Sequence, residues 1–236
     1  MYPGHWAKVS PDKKAAINSL TGDFFTYREL DERSNQLAQL LYDMGLRRGD
    51  HFSLFMENDL RYFEVIWAAM RSGLYLTPVN RYLMDEEAAY IVENSESQLV
   101  ISTAKLKAVA DKLPALCPKV KRWLMTDDSD GVWQDYETAL AAFPAHPLAE
   151  EPLGGQMMYS SGTTGRPKGI RRPLPDVSIS EIGSPQAEMF KLLWNFHQEA
   201  VYLSPAPMYH SAPLAAAAGL QSIGGTVVMM PRFDEL

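Results

Sequence analysis

The chain has a single cysteine, Cys117, among its 236 residues. One cysteine excludes an intrachain disulfide, and no metal-ligand spacing surrounds it, so we expect an inert, partly buried thiol and a cytoplasmic protein. No apolar run approaches the roughly 18 residues of a membrane-spanning helix, although peripheral membrane contact stays open. The first residues also lack the basic and apolar regions of a signal peptide.

Positive charge is also in short supply, with 22 basic against 29 acidic residues and a net charge of −7. This balance disfavours a nucleic-acid-binding protein that works through a general basic field. Two common nucleotide-binding signatures are missing as well. No G-x-G-x-x-G is present, and the lysine nearest to a glycine-rich segment does not have Walker A spacing.

One short segment between Tyr159 and Ile170 is rich in hydroxyl groups and glycine and contains one lysine. The glycines tolerate positive φ, successive backbone N–H groups can form an anion-binding concavity, and the lysine adds a point charge. A polar surface turn is the alternative on composition alone. The candidate anion-binding residues are Ser160, Ser161, Gly162, Thr163, Thr164, Gly165 and Lys168.

Short apolar runs alternate with helical periodicity along the chain, which predicts βαβ units and a layered α/β fold with a mainly parallel sheet. Thr26 and Glu29 fit a capping box that opens a helix ending at Gly45. Asn58 or Asp59 is expected to cap the next helix. The predicted strands include residues 51–55, 75–79, 98–102, 120–125, 156–159, 201–203 and 226–230.

Three further patterns lead to expectations that the structure can test. Residues 127–131 resemble the start of an EF-hand loop, but no Glu stands at the twelfth position, so a solvated loop is predicted. Arg171 and Arg172 are either attractors of anions or exposed loop charges. A helix is expected to present one apolar face made of Met189, Leu192, Leu193 and Phe196.

Residues 159–169 read Tyr-Ser-Ser-Gly-Thr-Thr-Gly-Arg-Pro-Lys-Gly. This order resembles the phosphate-loop signature of the AMP-forming adenylating enzymes, which include acyl-CoA synthetases, peptide-synthetase adenylation domains and firefly-type luciferases. Ser160 stands where many relatives have threonine. Residues 202–214, around Tyr209 and His210, are similar to the aromatic–histidine turn of this family, and the order Pro-Met-Tyr-His-Ser-Ala-Pro within them resembles the acyl-CoA synthetases more than the peptide-synthetase domains. Alone, His210 would more readily be an ordinary structural histidine.

The resemblance implies that residues 1–236 form the N-terminal portion of the AMP-binding (adenylation) domain. The adenine- and ribose-binding part and the mobile C-terminal domain of the family would then be absent. It follows that the parent protein is an ATP-dependent carboxylic acid–CoA ligase, whereas this chain alone is expected to be inactive. Two alternatives remain, namely a non-catalytic truncated scaffold module and an adenylating enzyme that passes its acyl group to a carrier protein.

The same resemblance implies ATP, Mg²⁺ and coenzyme A as cofactors and a fatty or other hydrophobic carboxylic acid as substrate. The charge balance predicts no nucleic-acid partner. Lys168 and residues 160–165 would hold the ATP phosphates, with Ser160 also helping to hold Mg²⁺. His210 would orient the carboxylate, and Tyr209 would line the acyl channel. Lys168 and His210 are therefore the expected catalytic residues. The oligomeric state stays open.

Overall fold

The computed structural model of the protein describes residues 1–160 and 166–233. Within them the strands are β1 (Lys14–Asn18), β2 (Phe24–Thr26), β3 (His51–Phe55), β4 (Tyr75–Val79), β5 (Ser97–Ser102), β6 (Arg122–Met125), β7 (Gln134–Asp135), β8 (Gly155–Ser160), β9 (Lys168–Arg171), β10 (Val201–Ser204) and β11 (Thr226–Met229). The helices are α1 (Pro3–Val9), α2 (Tyr27–Asp43), α3 (Arg61–Arg71), α4 (Asp85–Asn94), α5 (Lys107–Ala110), α6 (Leu113–Leu116), α7 (Tyr136–Ala141), α8 (Ile179–Ile182), α9 (Ala187–Trp194) and α10 (Ser211–Ile223).

The strands form two sheets, and most neighbouring strands are parallel. The larger sheet has the order β7-β6-β5-β3-β4-β8-β9, in which only β9 runs antiparallel to its neighbour. The smaller sheet has the order β10-β11-β1-β2, with β2 antiparallel. The predicted α/β class with a mainly parallel sheet is therefore confirmed.

The central strands of the large sheet, β3, β4 and β5, are buried on both faces, as expected for parallel strands covered by helices. Successive residues of β3 point to opposite sides, so Leu54 belongs to one apolar core and Phe55 to another. The first core contains residues of α2, α3 and α10 and also residues of β1 and β11 in the small sheet. The second core is closed by α4, α5 and α6.

Polar side chains tie the helices of the first core together. The indole of Trp67 in α3 donates a 2.7 Å hydrogen bond to the Oε1 atom of Gln221 in α10, and both side chains are buried. The hydroxyl of Tyr27 donates to the Gly225 carbonyl across 2.7 Å. Because buried polar groups need partners, these bonds fix how α2, α3 and α10 pack together.

Helix α2 begins as the sequence predicts. The Thr26 hydroxyl accepts from the Glu29 amide, and the Glu29 carboxylate accepts from the Thr26 amide across 2.8 Å. These two bonds make up a capping box. Gly45 follows the helix with φ of 87°, a left-handed conformation that favours glycine.

Two predictions about helices are wrong. Helix α3 has Leu60 as its N-cap. The Asp59 carboxylate accepts from the backbone amide and the guanidinium of Arg61, and Asn58 bonds to a distant segment. Helix α9 ends at Trp194, and it leaves Leu192 86% and Leu193 65% exposed. Helix α9 buries Ala187 and Phe190, and Phe190 packs against α10 at Gly219.

Cys117 is fully buried, which is deeper than predicted, and burial raises the pKa of its thiol to about 12. The acidic loop at residues 127–130 is paired with basic side chains. Lys107 bonds to Asp130 across 2.7 Å, and Arg61 lies 3.2 Å from Asp127. None of the helices in the described ranges combines the length and apolarity needed to cross a membrane.

Candidate active site

Strands β8 and β9 form an antiparallel hairpin, and the predicted phosphate loop lies between them. In this hairpin Ser160 is paired with Lys168, and Tyr159 is paired with Gly169. Directly opposite residues in an antiparallel pair have Cβ atoms roughly 5 Å apart. The Ser160 hydroxyl and the Lys168 ammonium therefore flank the two ends of the loop, and both side chains are exposed.

The remaining predicted loop residues, Ser161, Gly162, Thr163, Thr164 and Gly165, lie outside the described residues. Among the described residues, Lys168 makes no hydrogen bond or ion pair with protein. Lys168 is the first residue of a strand, whereas the sequence suggested a lysine within a loop.

Helix α4 holds both arms of this hairpin. The Tyr159 hydroxyl donates a 2.7 Å hydrogen bond to Asn94 Oδ1, and the Tyr90 hydroxyl donates to the Pro167 carbonyl across 3.2 Å. The Arg166 guanidinium lies 5.0 Å from the centre of the Tyr90 ring, within cation–π range. Tyr90 and Asn94 are four residues apart and share one helix face, so one helical turn anchors both sides of the loop.

Gly169 leaves room for the Tyr159 ring. A Cβ atom at position 169 would lie 2.3 Å from Met157 Cε and 3.0 Å from Tyr159 Cζ.

Burial, with a smaller contribution from Tyr90, raises the pKa of Tyr159 to about 12. The phenol therefore stays protonated at neutral pH and can donate to Asn94.

The predicted aromatic–histidine turn connects β10 to α10, and Asn58 holds it in place. The Asn58 side chain donates to the carbonyls of Ala206 and Met230, across 3.1 and 2.8 Å, and accepts from the Met208 amide across 2.8 Å. Asn58 follows β3 at its carboxyl end and is only 8% exposed. Three hydrogen bonds from one buried amide fix the backbone that leads to Tyr209.

Tyr209 and His210 stand side by side at the start of α10, with ring centres 4.3 Å apart. His210 occupies the N-cap position and is exposed. Burial and the nearby Tyr82 raise the pKa of Tyr209, while Arg81 acts in the opposite direction. Arg81 and Tyr82 follow the carboxyl end of β4, which is the neighbour of β8 in the large sheet, so residues after β4 lie near Tyr209.

The structure brings together Ser160 with Lys168 and, separately, Tyr209 with His210. No hydrogen bond or ion pair between described residues joins the two pairs. Sequence reasoning missed Asn58, Tyr90 and Asn94, which position these groups. The Tyr90–Asn94 spacing of one helical turn was a readable signal, but their partners become apparent only once the hairpin is folded.

These features define an α/β protein in which an antiparallel hairpin, β8–β9, borders a parallel sheet and carries Ser160 and Lys168 at the carboxyl end of β8. A comparison with protein families gives the same result, because residues 4–236 match the AMP-binding enzyme family. The chain belongs to this family of AMP-binding enzymes.

Curated relatives are similar over nearly the whole chain. The chain is 28% identical over 235 residues to the long-chain-fatty-acid–CoA ligase FadD13 of Mycobacterium tuberculosis, covering 97% of this chain and 44% of that protein. It is 25% identical over 238 residues to crotonobetaine/carnitine–CoA ligase of Proteus mirabilis, covering 94% and 45%. The chain thus spans less than half the length of these relatives.

Solved structures share the fold. The N-terminal domain of FACL13 from Mycobacterium tuberculosis superposes with a TM-score of 0.81 at 25% identity, covering 98% of this chain and 56% of that one. The anthranilate–CoA ligase AuaEII in complex with anthranoyl-AMP has a TM-score of 0.84 at 16% identity, covering 97% and 44%. At that low identity the second likeness supports the fold alone.

Proposed function

We propose that residues 1–236 form the N-terminal part of the adenylation domain of an ATP-dependent carboxylic acid–CoA ligase. The observation that carries this proposal is the β8–β9 hairpin, in which Ser160 and Lys168 flank the hydroxyl-rich loop. Lys168 has no ion pair within residues 1–160 and 166–233, and an ammonium that follows a hydroxyl-rich, glycine-containing sequence suits a polyanion such as a triphosphate. The names of the curated relatives, which are acid–CoA ligases, support the same reaction class.

The proposed reaction has two steps. A carboxylate oxygen of the acid attacks the α-phosphorus of ATP, the bond to the bridging oxygen breaks, and pyrophosphate leaves. The thiol of coenzyme A, losing its proton, then attacks the acyl carbon, and AMP leaves. In the first step negative charge grows on the departing pyrophosphate, and fixed donors such as Lys168 stabilise that charge.

Other residues of the proposed site take the roles that their positions allow. Ser161, Gly162, Thr163, Thr164 and Gly165 would supply amides and hydroxyls to the phosphates. His210 would orient the carboxylate, and Tyr209 beside it would line the acyl channel. The acid substrate is proposed to carry a fatty or other hydrophobic group on its carboxylate. The name of the relative FadD13, a long-chain-fatty-acid–CoA ligase, supports this choice.

Ser160 could contribute to magnesium binding. Mg²⁺ usually keeps several waters and takes only one or two protein ligands beside substrate phosphates, so one exposed hydroxyl fits an ion that arrives with ATP. Within residues 1–160 and 166–233, no group of three or more His, Cys, Asp or Glu residues could hold a metal ion. The ion would therefore depend on the nucleotide for most of its ligands.

The proposal is tested by thioester formation in the complete protein of which residues 1–236 would be part. Purified protein would be given ATP, coenzyme A and a panel of fatty, aromatic and sterol carboxylic acids, with an acyl carrier protein as the alternative acceptor. Acyl-CoA formation with at least one acid is expected. Acyl transfer only to the carrier protein would change the acceptor, and no adenylation of any acid would favour the non-catalytic scaffold.

We further expect that residues 1–236 alone give no ATP–pyrophosphate exchange with the same acids. The match covers only 44% of the FadD13 sequence, so more than half of that enzyme has no counterpart here. The measurement is isotope exchange into ATP by the purified 236-residue chain. Sustained exchange would show that this part carries out adenylation without the remainder.

A further inference from the structure

A second cluster of cationic side chains lies at the other end of the β8–β9 hairpin. It borders a pocket of about 430 Å³ lined by Arg48, Gly49, Tyr75, Arg171, Pro173 and Leu174. Arg171 ends β9, while Gly49 precedes β3 and Tyr75 begins β4. Because β9 is antiparallel to the main sheet, this pocket lies at the amino edge of the strands, away from Ser160 and Lys168.

The floor of the pocket is rigid. The ring of His51, which is only 4% exposed, stacks on the Tyr75 ring with centres 4.7 Å apart. The Tyr75 hydroxyl donates a 2.6 Å hydrogen bond to the carbonyl of Arg172. A stacked pair with a bonded hydroxyl keeps the aromatic surface in one orientation, so the walls are set before any ligand enters.

Two guanidinium groups border this floor. Arg171 donates to His51 Nε2 across 3.2 Å and lies 5.5 Å from the centre of the Tyr75 ring. Arg48 donates through Nη2 to the carbonyls of Leu174 and Pro175, at 3.0 and 3.1 Å. Each of these contacts uses one nitrogen of the guanidinium, and an arginine has five N–H donors, so both groups keep donors for a ligand.

Acidic groups near the pocket do not neutralise both arginines. Asp176 lies 3.9 Å from Arg48 and is fully exposed, so its attraction is weakened by water. Asp50 accepts from the backbone amide of Arg47 across 2.7 Å. Arg171 has no ion pair among the described residues. A local excess of positive charge is notable in a chain whose net charge is −7.

We propose that this pocket binds the phosphate group of a small phosphomonoester whose organic part is apolar. Guanidinium groups match the geometry of phosphate oxygens and donate charge-assisted hydrogen bonds to them. Pro173, Leu174 and the Tyr75 ring offer the apolar surface for the rest of the ligand. The site is separate from the proposed adenylation site and does not depend on that function.

Phenyl phosphate and inorganic phosphate are suitable probes, and binding is followed by chemical shifts in the folded 236-residue chain. The titrations are repeated in a chain that carries Lys168→Ala, because this change removes the cation of the proposed ATP-phosphate site. Phenyl phosphate is expected to bind more tightly than inorganic phosphate and to move the His51 resonances. Losing one charge-assisted contact should weaken binding about tenfold or more, which is the effect expected for Arg171→Gln and Arg48→Gln.

Arg172→Gln is the matched control, because it removes the same charge from the next, exposed residue, which does not line the pocket. Binding in this variant should stay within about twofold of the parent chain. Arg171→Lys keeps the positive charge and serves as a second variant in case Arg171→Gln does not fold. It should bind phenyl phosphate more weakly than the parent, because lysine lacks the planar guanidinium group. Equal weakening by Arg171→Gln and Arg172→Gln, loss of binding on Lys168→Ala alone, or no binding would overturn the proposal.

Discussion

Asn94 Oδ1 accepts a 2.7 Å hydrogen bond from the Tyr159 hydroxyl, which ties the strand before the phosphate loop to helix α4. Tyr159 is half-buried and Asn94 lies at the last position of its helix. Tyr159 packs against the second core, which α4 helps to close, so the bond reinforces the contact of β8 with this core. Its strength can be measured separately from any catalytic role.

The first prediction concerns this pair. Tyr159→Phe and Asn94→Ala each remove the bond, and each should lower the free energy of unfolding by about 0.5–1.5 kcal/mol. Because each change eliminates the same interaction, the double variant should lose less than the sum of the two. Urea unfolding of the four proteins gives the coupling energy. Strictly additive losses would show that the bond contributes nothing to stability.

A second prediction concerns the buried Asn58 amide. Asn58→Ala leaves the Met208 amide and two carbonyls without their partner, and each such group costs about 1–3 kcal/mol. We expect a large loss of thermal stability and, in the complete protein, a higher KM for the carboxylic acid. Asn58→Asp keeps an acceptor for Met208 but loses the donors to Ala206 and Met230.

The Asn58→Asp variant should therefore be less stable than the parent, because the two carbonyls repel its carboxylate. Thermal unfolding of both variants, with circular dichroism to confirm the fold, is the measurement. An Asn58→Ala protein as stable as the parent would contradict the role assigned to this side chain.

A third prediction concerns pH. Burial, followed by the positive charge of Arg171, lowers the pKa of His51 below its ordinary value of 6.5. The unfolded chain therefore takes up a proton near pH 6.5, while the folded chain resists it. The stability that this histidine contributes is complete above about pH 6.5 and is lost as the pH falls toward the folded pKa, at up to about 1.4 kcal/mol per pKa unit of difference.

His51→Phe keeps a ring that can stack on Tyr75 but cannot be protonated. Between pH 7.5 and pH 5.5 the parent chain should lose more of its unfolding free energy than this variant does. Urea unfolding at the two pH values gives both differences. Parallel pH profiles would mean that His51 titrates in the folded chain as it does in the unfolded one.

Local signals in the sequence predicted much of the framework. The Thr26–Glu29 capping box locates the start of α2, and β3 and β4 have the predicted bounds. Strand β9 was missed because Lys168 to Arg171 are all exposed, so they show no alternation of buried and exposed residues. Its strand form depends on pairing with β8, which a local pattern cannot reveal.

The candidate site also combines features that the sequence predicts with features that depend on tertiary packing. The order of residues around Lys168 and His210 identifies the family, and it needs no tertiary structure to be read. Asn58, in contrast, acts on an amide 150 positions away. It was assigned to a helix cap because asparagine before an apolar run favours that role. Only the packing of β3 beside the turn after β10 shows its other use.

The central claim is that Lys168 and the loop before it hold the phosphates of ATP. The most direct measurement compares ATP–pyrophosphate exchange among the complete parent protein, its Lys168→Ala variant and its Lys119→Ala variant. The last of these removes another exposed lysine that is far from β9 in sequence. Lys168→Ala should lower the exchange rate by about 100-fold or more, with the unfolding free energy changed by less than about 0.5 kcal/mol. Lys119→Ala should leave both unchanged. An exchange rate in Lys168→Ala equal to that of the parent would contradict the claim.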